Sequence, residues 1–235
     1  MRLTVLGRSP ARPNPGEACA GYIVEGGRSR VMLDAGPGTV AQLLRRNTPD
    51  ELDAVVISHM HTDHCLDLIT LRYSYPWIDV AKKRLLVIVP PGSMAQISEL
   101  ALGAGYVNFF DKSFIFDEHD GKRPIEIGDL RFEPDETQHY VRTWGFRVQA
   151  RGQGEDPKVR IVGHHASDLG RGSVRQPLDQ RDPVIGREPV GISKRRDGLG
   201  ARREEHGGDE QPPLHVISVR SRGDLEIAQE PRRDR

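Results

Sequence analysis

The stretch that most constrains this chain is Ser58-His59-Met60-His61-Thr62-Asp63-His64, which follows directly on the apolar run Ala54-Val55-Val56-Ile57. Three histidines and an aspartate fall between positions 59 and 64. Imidazole and carboxylate donors together suit zinc or a similar divalent ion. In an extended or turn segment, His59 and His61 project to the same side and can share one ion. Asp63 and His64 come one step later, as the chain turns into a helix, and can face a second. A surface turn with solvated histidines is the plainer alternative. Four donor residues directly after a buried strand argue against it.

The surrounding sequence alternates strand and helix patterns. Leu3–Leu6, Gly21–Glu25 and Arg30–Asp34 read as strands, with Gly26-Gly27 as a hairpin turn and a Pro/Gly-rich loop from Gly7 to Gly16. Val40–Arg46 reads as a short helix and Cys65–Leu71 as another. Arg84–Val89 reads as a continuous apolar strand of the kind buried on both faces. Pro90-Pro91-Gly92 turns it into a helix over Met94–Leu102, with Ser93 as the expected N-cap. The phenylalanines of 109–117 read as core packing. A hairpin is expected over 124–132, and strands over Thr143–Val148 and Lys158–Val162. Cys65 follows a donor histidine, but a small buried thiol is the expected role. Asp67 reads as solvated or as a cap.

Composition excludes some classes. Lys plus Arg and Asp plus Glu balance at 34 each, so no strong basic field argues for nonspecific nucleic-acid binding. Two cysteines provide no disulfide framework. The apolar run at the N-terminus is too short for a signal peptide, and no segment is fit to span a membrane. A cytoplasmic protein is expected.

The motif resembles that of the metallo-β-lactamase superfamily of binuclear metallohydrolases. Within it, the chain looks like the phosphodiesterase branch that includes the tRNA 3′-processing endonuclease, ribonuclease Z. The resemblance covers residues 1–150. It implies a four-layer α/β/β/α sandwich of two similar halves and a hydrolase domain over 1–162. It implies two zinc ions that activate a water, with Asp63 as both ligand and orienter of that water. His59 and His61 would share one ion with His139, which precedes the strand start Trp144-Gly145-Phe146. Asp63 and His64 would serve the other ion. Asp34, at the end of its strand, is read in two ways: it orients a ligand histidine, or it is an ordinary turn aspartate. The glycines after it let backbone approach the site closely.

Beyond residue 162 the resemblance breaks. All 13 aromatic residues lie before position 151, and residues 151–235 carry 17 Lys or Arg and 15 Asp or Glu. Such a stretch builds a core poorly. The tail at 163–235 is therefore expected to be poorly ordered, or to be the product of a frameshift near residues 160–165. The segment Gly163-His164-His165-Ala166-Ser167-Asp168 does not match the turn that carries the family's bridging aspartate. Asp168 is the nearest candidate, with His164 or His165 as substitutes or as a plain surface pair. His215, inside an expected strand over Leu214–Val219, is the candidate last ligand, and His206 reads as solvated. The second half would then be incomplete or replaced, leaving apolar faces of the first sheet without a partner.

Three functions compete. One is a zinc phosphodiesterase acting on RNA or cyclic nucleotides. Another is a hydrolase of thioesters, lactones or β-lactams. The third is a truncated or frameshifted inactive copy with an incomplete metal site. The resemblance also allows a homodimer.

Overall fold

The apolar run before the histidine motif forms the strand Ala54–Val56, buried at every residue and set in a seven-stranded sheet. The computed structural model describes residues 1–75 and 84–151, and the backbone of three strands at 158–161, 217–220 and 226–228. In chain order the strands are β1 Arg2–Gly7, β2 Gly21–Gly26, β3 Ser29–Leu33, β4 Ala54–Val56, β5 Leu85–Val89 and β6 Phe114–Glu118. Then come β7 Ile125–Ile127, β8 Leu130–Thr137, β9 Thr143–Ala150, β10 Lys158–Ile161, β11 Ile217–Arg220 and β12 Glu226–Ala228. The helices are α1 Thr39–Leu44, α2 Thr62–Cys65, α3 Leu68–Arg72 and α4 Met94–Gly103.

One sheet runs β12-β1-β2-β3-β4-β5-β6, the other β11-β10-β9-β8-β7. The turn between β2 and β3 pairs Gly26 with Ser29, and Gly27 takes a φ of 58° there. From β3 to β6 all neighbours are parallel. Their carboxyl ends therefore share one edge, where ligands of open α/β sheets bind. The residues that follow these ends are Asp34, the histidine motif, Pro90-Pro91 and His119.

Side chains alternate between the two faces of this sheet. Met32, Val55 and Val87 join Leu43, Leu68 and Ile97 of the helices in one core. Leu33, Val56 and Ile88 join Leu130, Phe132 and Phe146 of the second sheet in another. Each such side chain contributes about 1.5–3 kcal/mol on burial. Among the described residues the order of layers is thus helix, sheet, sheet.

Several expectations need correction. The inner face of the first sheet is not left bare, because β8 and β9 alternate apolar residues toward it. The helix expected over Cys65–Leu71 is two short helices, α2 and α3. Ser93 stands at the N-cap of α4 without a side-chain cap bond. Instead, Glu118 accepts from the Met94 N–H at 2.8 Å. In the tail, the strand expected over Leu214–Val219 lies at Ile217–Arg220 and pairs antiparallel with β10. An unexpected strand, β12, pairs parallel with β1. The remainder of the tail lies outside the described residues.

The expectations for residues 109–117 and for Asp67 hold. Phe109, Phe110 and Phe114 are buried core residues. Asp67 caps α1 from a distance, accepting from the Val40 N–H at 2.9 Å. No described helix is long and apolar enough to cross a membrane.

Candidate metal centre

Asp34 begins the site. It follows β3 directly with a φ of 59°, the one non-glycine residue with positive φ among those described. Aspartate tolerates this left-handed conformation better than most residues. The conformation aims its carboxylate at the start of the histidine motif. Oδ1 accepts from the Ser58 N–H at 2.7 Å, and Oδ2 from the Ser58 hydroxyl at 2.9 Å. Oδ2 also lies 2.8 Å from His64 Nδ1. These contacts tie the Asp34 carboxylate both to the start of the histidine motif and to the His64 ring. Ser58 Oγ lies 3.0 Å from His59 Nδ1. A hydroxyl that donates to Asp34 has lone pairs left for an N–H at His59 Nδ1. Both His59 and His64 thus carry the proton on Nδ1 and turn Nε2 forward.

Three imidazoles then converge. His59 Nε2 is 3.0 Å from His61 Nδ1, and His139 Nε2 is 3.3 Å from the same atom. These donor atoms all lie within 4.8 Å of one another. A tetrahedral zinc with Zn–N bonds near 2.05 Å places its donors about 3.3 Å apart. The separations of 3.0 and 3.3 Å from His61 Nδ1 match that spacing, so the three nitrogens suit one such ion. The backbone keeps His139 near the motif, since the Trp144 N–H at the start of β9 donates to the Ser58 carbonyl at 3.1 Å. His59 is buried, while His61 and His139 are partly exposed, so the cluster opens to solvent on one side.

Asp63 and His64 sit together on α2, with Asp63 Oδ2 3.5 Å from His64 Nε2. The His64 ring centroid is 3.9 Å from that of His59, so this pair adjoins the three-histidine cluster. Gly36 allows this packing: a Cβ there would stand 1.9 Å from the Asp63 carbonyl oxygen. Asp168, His164, His165, His206 and His215 lie outside the described residues.

Burial sets the protonation. It pushes the His59 imidazole down to about 2, with the neighbouring histidines adding to the effect. Burial also lowers His61. Both are therefore neutral near pH 7, the form that binds metal. Cys65 behaves as a buried thiol. Burial pushes it up to about 12, and its Sγ faces the Met60 carbonyl at 3.7 Å.

Sequence reasoning missed several neighbours. Ser58 links Asp34 to two histidines, and its position directly before the motif is the only signal for it. Tyr140, next to His139, is 81% exposed and packs its ring 4.7 Å from that of His61. A pocket of about 190 Å³ opens beside His61, lined among others by Pro91, Gln96, Arg142 and Trp144. His119 is buried with its ring perpendicular to Trp144, 5.2 Å away.

Comparison with known proteins gives a consistent result. The family model described as the beta-lactamase superfamily domain matches residues 29–155. Ribonuclease Z of Haloferax volcanii is 26% identical over 218 residues, covering 92% of this chain and 64% of its own length. That alignment necessarily runs into the charged tail. The metallo-beta-lactamase fold protein YhfI of Bacillus subtilis superposes with a TM-score of 0.56 at 21% identity, over 68% of this chain and 60% of its own. The short form of human tRNase Z gives 0.54 at 19% identity, over 70% and 69%.

Proposed function

The chain belongs to the beta-lactamase superfamily, and from that premise we propose that it is a zinc-dependent phosphodiesterase acting on RNA or cyclic nucleotides. The carrying observation is the convergence of His59 Nε2, His61 Nδ1 and His139 Nε2. The similarity to ribonuclease Z favours a phosphodiester over a thioester, lactone or β-lactam.

A divalent ion held by these three nitrogens, with a second beside Asp63 and His64, would supply Lewis acidity and a water acidic enough to attack at neutral pH. The protein's part is orientation. Asp34 and Ser58 lock two histidines with Nε2 forward. Asp63 presents a carboxylate next to His64, 3.5 Å from its Nε2, and would serve as a ligand and orient the attacking water. The buried wall formed by Ser58, His59 and His64 closes the site from behind.

The test uses the full-length chain loaded with zinc. Cleavage of bis(p-nitrophenyl) phosphate, lost with a chelator and restored by zinc, is expected. Turnover of a thioester or β-lactam with none of the diester would overturn the reading.

A second reading is an inactive copy that holds a single ion. It is favoured by the donor count among the described residues, three for one ion but two for the other, and by a family match that ends at residue 155. Zinc content per chain separates the two. About two ions mean that residues beyond 162 complete the centre, with Asp168 and His215 the first to substitute. One ion or fewer favours the incomplete copy. Translating the gene in its other two frames then tests the frameshift: an apolar-patterned continuation with an aspartate turn and a strand-ending histidine is expected.

A further inference from the structure

The turn between β8 and β9 carries more than a metal donor. Within His139-Tyr140-Val141-Arg142 stand an imidazole of the cluster, an exposed aromatic ring and a cation. Tyr140 is the most exposed large apolar side chain described, at 81%. It is nevertheless held, with its ring 4.4 Å from that of His139 and 4.7 Å from that of His61. A ring held by two imidazoles at the rim of the site offers a flat face on which another ring can stack. Arg142 lies on the pocket side of the same turn. Its guanidinium sits 4.8 Å over the Trp144 ring, and its Nε donates to Glu136 at 3.0 Å. Those contacts fix the plane of the guanidinium and, among the described residues, engage its Nε–H, so its terminal N–H groups can serve an anion. The pocket beside His61 holds about 190 Å³, room for one small ring or sugar rather than a large ligand.

We propose that this turn is the nucleotide-recognition element of the site: Tyr140 stacks on a base next to the scissile phosphate, and Arg142 pairs with an adjacent phosphate. Stacking on a single ring is tolerant of base identity, so the element recognises a nucleotide without reading its sequence. The inference rests on the phosphodiesterase reading above, and its test is arranged to separate the two.

The experiment compares two esters with the same leaving group on the zinc-loaded full chain, thymidine 5′-(p-nitrophenyl) phosphate and methyl p-nitrophenyl phosphate. Tyr140→Ala should lower the ratio of kcat/KM, nucleoside ester to methyl ester, about tenfold, mostly through KM. Tyr140→Phe should restore it. An equal loss on both esters would mean that Tyr140 only props His61, and the proposal falls. An unchanged ratio overturns it as well. Binding of a fluorescein-labelled RNA trinucleotide is read in parallel by anisotropy. Here Tyr140→Ala should weaken binding about tenfold. Arg142→Gln should weaken it and reduce the log–log salt slope by about one. If the chain cleaves neither ester, the phosphodiesterase reading fails, while trinucleotide binding still decides the recognition element. Absence of binding, or binding indifferent to Tyr140, overturns it.

Discussion

Asp34 Oδ2 lies 2.8 Å from His64 Nδ1, joining the end of β3 to helix α2 across a fully buried contact. The backbone of Asp34 is left-handed to make that contact. Aspartate is one of the few side chains that take this backbone conformation at modest cost.

Asp34→Asn tests the orienting role. Asparagine tolerates the same backbone, so the substitution removes the charge and leaves the fold. Loss of such a partner typically costs 10- to 100-fold in metal affinity. Zinc titration calorimetry should show that loss, with an unchanged far-UV spectrum. Parent-like affinity would mean that Asp34 serves only the turn.

Gly36→Ala should be severe. The new Cβ would stand 1.9 Å from the Asp63 carbonyl oxygen and 2.8 Å from Cys19 Cβ, and the first of these is backbone that cannot swing away. Overpacking of this kind costs about 1–3 kcal/mol or more. It also moves Asp63 relative to His64. Thermal melts and zinc content should both fall. A variant with the parent's melt and zinc content would refute the close approach.

Phe132→Ala probes the seam between the sheets. Phe132 is fully buried there, with its ring 6.2 Å from that of Phe146. A loss of about 3–5 kcal/mol in urea unfolding is expected. A cost below about 1 kcal/mol would mean that the two sheets are not packed through this residue.

The metal-free chain should lose stability in mild acid, partly through His119. Burial lowers this imidazole to about 4 from its ordinary 6.5. The unfolded chain binds that proton first, so the contribution is fully present above pH 6.5. It declines as pH falls and is gone below about pH 4. One histidine changes stability by about 1.4 kcal/mol per pH unit inside that window. In His119→Gln the denaturation midpoint should depend less steeply on pH between 6.5 and 4. An identical slope would remove His119 from the account.

Much of this site is legible along the chain because its donors are neighbours in sequence. His59, His61, Asp63 and His64 follow one strand, and their spacing alone separates them into two facing pairs. The close approach at Gly36 and the buried thiol of Cys65 were likewise readable, since small residues beside a dense motif have few other uses. Ser58 is not legible in this way because its bonds depend on Asp34, 24 positions earlier. Tyr140 carries no signal because an exposed ring has no periodicity to announce it. Ser93 is the local cap candidate for α4, but the group that accepts from its first turn is Glu118 of a different strand.

Donor chemistry and apolar runs are local properties, so the candidate donors of the histidine motif and the strands that precede it can be read along the chain. The 3.3 Å approach of His139 to His61 across 78 positions, and the nitrogen each imidazole turns forward, come from contacts between distant segments. Tertiary structure also decided that β8 and β9 cover the inner face of the first sheet, and that two strands from a charged, aromatic-free tail join the two sheets. Backbone hydrogen bonding and burial act between segments far apart in the chain. No pattern within one segment carries them.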